Sequence, residues 1–570
     1  MSTRRAGFDA FSRIDLAALS RLAFRRVLVA VLLACVATPA LGDDAQDGAG
    51  EAKAAAKKDA KPDSEKSDKK DKKSADDDKK SDGDKPVVTE HTVVIDGQEI
   101  KLTATAGKLS LKTDEGKAKA NVFFVAYTKD GAELGKRPIT FCFNGGPGSA
   151  SVWLHLGMLG PKRVKIDSDA RPQRPPAELI DNPYSLLDVT DLVFIDPVST
   201  GYSRPADGED KKQFHGYRED LQSVGQFIHD YTSQYGRWGS PKFLLGESYG
   251  GLRAAGLAGY LQDRYRLDLN GVVLVSAVVD FRTIAFGGGN DLANVLFLPS
   301  YAATAWYHKA LDKKWLDRPV EDVVAAAERF ARGPYLRALT DGSAYPAKKR
   351  ERVVAKMSEL TGLSPDYIER ADLRVAMWQF GKELLRDRGQ VVGRFDGRYV
   401  GFDPDHIGAA TEHDPSGTAV FGLFTSAINQ YLRDDLKVED DHVYEILTDN
   451  VQPWNYGRVV NDYVSSADEL RNAMASNPFL KVFAACGYYD LATPQFAMQY
   501  TRDHLELPRE LLENFTIRFY EGGHMMYAHE PSLAKLREDL LEYYRDALGE
   551  DAGDQQPDDA TAAEPPAEAA

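Results

Sequence analysis

Lys242-Phe243-Leu244-Leu245-Gly246-Glu247-Ser248-Tyr249-Gly250-Gly251 joins a short apolar strand to a small-residue helix through the pattern Gly-x-Ser-x-Gly. Such a turn is too tight for large side chains beside the serine, so it needs both glycines and leaves the hydroxyl standing clear of the sheet. The five-residue pattern alone is common by chance and fits a plain strand-to-helix turn. Here the strand before it and the Ala-, Leu- and Gly-rich run Leu252 to Leu261 after it supply the setting of a nucleophile elbow, and Ser248 is read as a catalytic serine.

Strand and helix signals alternate around this turn. A hairpin signal at Asp96-Gly97 leads to strands at Ala120 to Tyr127 and Pro138 to Phe143, then to another at Asp191 to Ile195. A helix spans about Phe214 to Tyr235, and beyond the elbow the fully apolar run Gly271 to Val279 reads as a central parallel strand. This order predicts an α/β fold with a doubly wound, mostly parallel sheet, the α/β-hydrolase fold. About two hundred residues then read as mainly helical, with segments Pro319 to Arg332, Lys348 to Leu360 and Leu373 to Arg386 and one hairpin at Asp396-Gly397. Strand signals return at Phe479 to Cys486 and Phe515 to Tyr520, before an amphipathic helix at about Ser532 to Leu548. The expected organisation is a hydrolase core at 88–280 and 478–548 interrupted by a cap insertion at 281–477.

The termini differ in composition. Arg21, Arg25 and Arg26, the apolar stretch Val27 to Val36 and Ala40-Leu41-Gly42 form an export signal, 1–42, too short to span a bilayer. The chain is therefore expected to be exported to a periplasmic or extracellular envelope compartment. Leu32-Leu33-Ala34-Cys35 keeps a rival open, a lipoprotein anchored through Cys35. Residues 43–87 are Lys-, Asp- and Ala-rich, and 549–570 are acidic with Ala and Pro; neither holds enough apolar surface to offset ordering, so a disordered tether and tail are expected.

The formal net charge of -16 argues against a nucleic-acid partner, which would require clustered Lys and Arg in the ordered part. No cysteine or histidine cluster has metal-ligand spacing, so no metal and no cofactor are expected. Cys142 and Cys486 lie in apolar strand-like runs, where buried free thiols are the usual outcome.

A serine hydroxyl is a weak nucleophile until a base takes its proton, and in this fold the acid and then the histidine follow later strands. Of 11 histidines, His524 is best placed, after strand Phe515 to Tyr520 and the loop Glu521-Gly522-Gly523. His504 and His529 fall in or near helical or post-turn segments. Asp490 follows Gly487-Tyr488-Tyr489 and is the expected orienting acid, against a second reading as a helix N-cap; Glu521 is the alternative acid. The expected oxyanion donors are the Tyr249 N–H and one from Asn144-Gly145-Gly146-Pro147-Gly148, whose glycines let backbone approach a substrate oxygen.

Together, Asn144 to Ser149, Asp196-Pro197-Val198-Ser199-Thr200-Gly201-Tyr202-Ser203, Gly246 to Gly251, Gly487 to Asp490 and Gly522-Gly523-His524 resemble the serine carboxypeptidases over about Val122 to Leu548. The resemblance implies release of C-terminal residues from peptides through an acyl-enzyme on Ser248, with His524 as base then acid, Asp490 as orienter, and Gly146 and Tyr249 N–H groups on the oxyanion. It also implies that Asn144, Gly145 and Glu247 hold the substrate's terminal carboxylate, with a second glutamate sharing a proton with Glu247. That second position falls on Met158. Without it Glu247 is expected to lack the partner that raises its pKa, so that activity on free C-termini is weaker or its optimum nearer neutral, and Met158→Glu is expected to strengthen acid-side activity. An esterase, acyltransferase or broader peptidase of the same fold is the alternative, and a catalytically idle envelope-binding protein a third. Side-chain preference and oligomeric state stay open.

Overall fold

The computed structural model describes residues 85–457 and 463–550. The export signal, Cys35 and nearly all of the expected tether and tail lie outside them. Among the described residues no helix is long and apolar enough to cross a membrane.

The sheet opens with β1 (Val87–Ile95) and β2 (Gln98–Lys112), joined by Asp96-Gly97, both at positive φ as a two-residue hairpin requires. β3 (Ala118–Lys129), β4 (Ile139–Phe143), β5 (Asp191–Ile195), β6 (Lys242–Glu247), β7 (Gly271–Val275), β8 (Lys481–Gly487) and β9 (Phe515–Tyr520) follow. Their order across the sheet is β1-β2-β3-β5-β4-β6-β7-β8-β9, with the short Arg204–Pro205 strand added beside β3. β1, β2, β3 and β5 pair antiparallel; from β5 to β9 every pairing is parallel.

β4, β5, β6 and β7 are buried along their whole length, which is why they read as unbroken apolar runs rather than alternating ones. Alternate residues feed opposite faces: Phe243, Leu245, Val273 and Val275 enter one core, Leu244, Val272 and Leu274 the other. Helices α1 (Tyr217–Gln234) and α2 (Tyr249–Tyr265) cover the second face, and α4 (Pro415–Asp434) and α5 (Glu530–Leu548) pack on the first. The result is the doubly wound α/β-hydrolase arrangement. Residues 281–457 are mainly helical; those from 284 to 400 build a separate apolar core around α3 (Leu292–Tyr307), which reaches the main body through Leu491, Phe496 and Ala497. Cys142 and Cys486 are free and buried.

Candidate active site

β6 is buried between β4 and β7, so the chain leaving it must turn sharply before α2 can cover the sheet. Ser248 makes that turn at φ 61° and ψ -125°, a conformation an L-residue holds only where its surroundings over-determine it. The surroundings are backbone: a Cβ on Gly246 would sit 2.1 Å from the Gly250 carbonyl oxygen, and one on Gly145 only 2.4 Å from the Tyr249 nitrogen. The glycine loop after β4 is thus pressed against the elbow. Arg253 of α2 locks it there, donating from Nη1 to the Asn144 carbonyl at 2.6 Å and from Nε to Asp220 at 2.7 Å, with all three side chains buried.

Ser248 and His524 line one pocket with Asn144, Gly145, Gly146, Glu247 and Tyr249. His524 comes from the loop after β9, and its backbone N–H donates to the Phe395 carbonyl. Its Nδ1 lies 2.9 Å from Asp490 Oδ2, both side chains being buried. A carboxylate only accepts, so Nδ1 carries the proton and Nε2 is left as the acceptor. Burial works to lower the His524 pKa, and the Asp490 carboxylate with its hydrogen bond outweighs it, so the net shift is upward. No hydrogen bond joins Ser248 to His524 among the described contacts; such bonds often tighten only when substrate is bound.

Asp490 is itself held by four donors. Its Oδ1 accepts the N–H groups of Ala492 at 2.7 Å and Thr493 at 2.9 Å, while Oδ2 takes His524 and the Thr493 hydroxyl at 2.7 Å. These bonds close the turn before Pro494, but the helix Gln495–Asp503 starts from Pro494 with no side-chain cap, so Asp490 is not its N-cap. Glu521 is exposed, His504 bonds the Tyr500 carbonyl through Nδ1, and His529 bonds Ser532.

Glu247 is buried, and desolvation pushes its pKa up to about 7. The charge on His524 and hydrogen bonds from Tyr527 and Asn144 act against that rise. The reason expected for an ordinary Glu247, the missing second carboxyl, is corrected here: burial, with a smaller contribution from the Asp490 charge, raises it without that partner. Met158 is buried in the apolar core and is not among the pocket-lining residues. The partner that does reach Glu247 is the Tyr527 hydroxyl, at 2.8 Å.

Three further residues were not singled out by the sequence. Thr493, three places after Asp490, lies 2.7 Å from its Oδ2, 2.8 Å from the Ser276 carbonyl and 3.1 Å from His524 Nδ1. Tyr527 lies three places after His524, and Arg394 beside the expected hairpin turn reaches the pocket wall. Only a hydroxyl or phenol near a candidate acid or base marked the first two, and such residues abound.

A sequence profile of the serine carboxypeptidase family matches residues 97–511. The chain belongs to the serine carboxypeptidase family. This serine carboxypeptidase family member has no match among curated proteins. Solved structures that resemble it include the proline iminopeptidase of Mycobacterium smegmatis, 14% identical over 78% of this chain and 100% of that one, with TM-score 0.34. A putative aryl esterase from Burkholderia cenocepacia is 12% identical over 78% and 99%, with TM-score 0.30, and a lipase in open form 15% identical over 78% and 99%, also at 0.30. Likenesses this distant carry no argument about substrate; family membership makes the protein a serine hydrolase.

Proposed function

We propose that the protein is an exported carboxypeptidase that releases C-terminal residues from peptides through an acyl-enzyme on Ser248. In this reading His524 Nε2 takes the serine proton as the hydroxyl attacks the scissile carbonyl, then returns it to the leaving amine. Water, deprotonated by the same nitrogen, hydrolyses the ester. Asp490 keeps the imidazole in the required tautomer and stabilises its cation. The Gly146 and Tyr249 N–H groups meet the tetrahedral oxyanion, and Asn144, Gly145 and Glu247 receive the terminal carboxylate. The observation carrying this reading is that one pocket is lined by Ser248, by His524, whose Nδ1 lies 2.9 Å from Asp490, and by the buried carboxyl of Glu247 beside the serine.

The replacement of the family's second glutamate by Met158 favours an esterase, acyltransferase or broader peptidase as the second reading. Blocked dipeptides, their C-terminal amides and simple aryl esters, each run against Ser248→Ala, separate the two. Preference for the free acid supports the carboxypeptidase; equal turnover of acid and amide rejects it in favour of the general acyl hydrolase. Export rests on residues 1–42, with anchoring through Cys35 as its alternative. The mass and N-terminal residue of the mature protein distinguish cleavage after Gly42 from lipidation.

A further inference from the structure

Buried arginines in this protein are paired with carboxylates. Arg237 meets Asp191, Arg253 meets Asp220, Arg398 meets Asp396 and Arg537 meets Asp188, each at 2.7 Å. Among the described residues Arg394, half-buried, has no such carboxylate. It lines the pocket that holds Ser248 and His524, yet its guanidinium makes no ion pair and no side-chain hydrogen bond among the described residues, and its Nε is buried without a partner.

The position is built rather than accidental. The Arg394 N–H donates to Asp414 Oδ1 at 3.0 Å and its carbonyl accepts from Leu491, the residue after Asp490, at 3.1 Å. The next residue, Phe395, donates its N–H to the Ser416 hydroxyl at 3.0 Å and accepts the N–H of His524 on its carbonyl. The backbone of Arg394-Phe395 is thus stitched to both the acid and the histidine loops. Asp414, which accepts the Arg394 N–H, has its Oδ1 taken by backbone N–H groups and Ser416 and its Oδ2 buried without a partner, and it forms no ion pair with the guanidinium. The Phe395 ring stands beside the side chain, 5.4 Å from the guanidinium carbon. Among the described residues the other charged groups lining the pocket are Glu247, Asp449 and His524, so Arg394 is the one permanent cation among them.

An unpaired, partly desolvated guanidinium offers a planar fork of donors that matches a carboxylate in two parallel hydrogen bonds. We propose that Arg394 anchors a substrate carboxylate in this pocket. This rests on the carboxypeptidase reading and deepens it: the charge recognition that a second glutamate would share with Glu247 is supplied instead by a cation on the opposite, inserted part of the chain. The carboxylate is the α-carboxylate of the departing residue or an acidic side chain, and the test separates these sources.

The measurement is the ratio of kcat/KM for free acid over amide, in Arg394→Gln, Arg394→Lys and the unaltered protein, with thermal melts to check folding. One series uses blocked dipeptides with neutral side chains, a second places Asp or Glu at either residue, and a third uses ester analogues ending in a 2-hydroxy acid or its amide. Losing hydrogen bonds to a charged group lowers the ratio about ten- to a hundredfold in Arg394→Gln. Arg394→Lys keeps the charge without the fork and falls between. A loss in the neutral series assigns the α-carboxylate; a loss confined to acidic residues assigns the side chain. Unchanged ratios in all three series overturn the proposal, as does an equal loss on charged and uncharged substrates. The ester series reads Arg394 even if no peptide bond is cleaved, so failure of the carboxypeptidase reading is seen separately.

Discussion

The Tyr527 hydroxyl donates to Glu247 Oε2 at 2.8 Å, so the carboxyl next to Ser248, expected to lack a partner because Met158 stands at the second carboxyl's position, has a phenol partner instead. A phenol this deeply buried has its own pKa pushed well up and stays a donor throughout the working range. It favours the ionised form of Glu247, whereas burial favours the neutral form and wins, at about 7. On the proposed reading, neutral Glu247 donates a hydrogen bond to the substrate carboxylate, whereas ionised Glu247 repels it. KM for a free-acid dipeptide is therefore expected to rise above pH 7 while KM for its amide stays flat. Tyr527→Phe removes the bond that lowers the pKa and moves this limb to higher pH, and Glu247→Gln abolishes it. A pH profile of KM in the three proteins checks this; an identical alkaline limb for acid and amide contradicts it.

The same shift acts on stability. Glu247 has its folded pKa raised above the ordinary 4.5, so the folded state is penalised once the group must ionise. Relative stability is full below about 4.5 and is lost as pH rises through about 7. Glu247→Gln should match the unaltered protein at pH 4 and exceed it at pH 8, by on the order of 2 kcal/mol. Denaturant midpoints at the two pH values report it, and a mutant less stable at pH 8 refutes it.

Thr493 touches every member of the acid side of the site. Its single hydroxyl proton serves either Asp490 Oδ2 or the Ser276 carbonyl, and loss of it leaves Asp490 with one donor fewer. A less solvated Asp490 holds the imidazolium more tightly, so Thr493→Val should move the acidic limb of kcat/KM upward and lower kcat roughly tenfold. Thr493→Ser restores the hydroxyl and should recover most of both. A kcat loss in Thr493→Val with an unmoved limb would mark the residue as mere packing.

How much of this was readable without coordinates differs between sheet and site. β5 coincides with the expected Asp191 to Ile195, because a strand buried between neighbours is apolar almost without interruption, and β9, a half-buried edge strand, coincides with Phe515 to Tyr520 through its aromatic and β-branched residues. The run Gly271 to Val279 overshoots: the strand ends at Val275 because Ser276 turns at φ 42° and the chain leaves the sheet beneath Thr493. The expected helix Leu373 to Arg386 shrinks to Met377–Glu383, since Asp372 and Leu373 both sit at positive φ and cannot open a helix. Residues carried by local patterns, such as Ser248 within its glycines or His524 after Gly522-Gly523, are visible in a linear text. Arg394, Thr493 and Tyr527 matter through contacts between segments far apart in the chain, and no spacing announces them.

The ion pair beneath the elbow is the main polar element joining α1, α2 and the glycine loop. Burial raises the Asp220 pKa and Arg253 pulls it back. Arg253→Met leaves that carboxylate buried and alone, which costs about 3–5 kcal/mol. The penalty should grow from pH 5 to pH 8 as Asp220 is forced to ionise, and Arg253→Met combined with Asp220→Leu should regain most of it. Melting temperatures of the single and double variants decide; a double variant no better than the single shows that the lost bond to the Asn144 carbonyl, rather than the stranded charge, dominates.

Gly145 tests the contact between loop and elbow directly. An alanine Cβ there would stand 2.4 Å from the Tyr249 nitrogen and 2.8 Å from the Gly250 nitrogen, closer than any real contact allows. The neighbours are backbone and cannot swing aside, so the loop must withdraw, taking Gly146 and Asn144 away from the serine. Loss of one oxyanion donor alone costs about a hundred- to a thousandfold in kcat. Gly145→Ala should lose at least that on peptides and aryl esters alike, because the oxyanion is common to both, while changes confined to the carboxylate subsite spare the esters. Pre-steady-state acylation with an aryl ester isolates the step. A Gly145→Ala protein that acylates at the normal rate would show that this loop is not where the oxyanion is held.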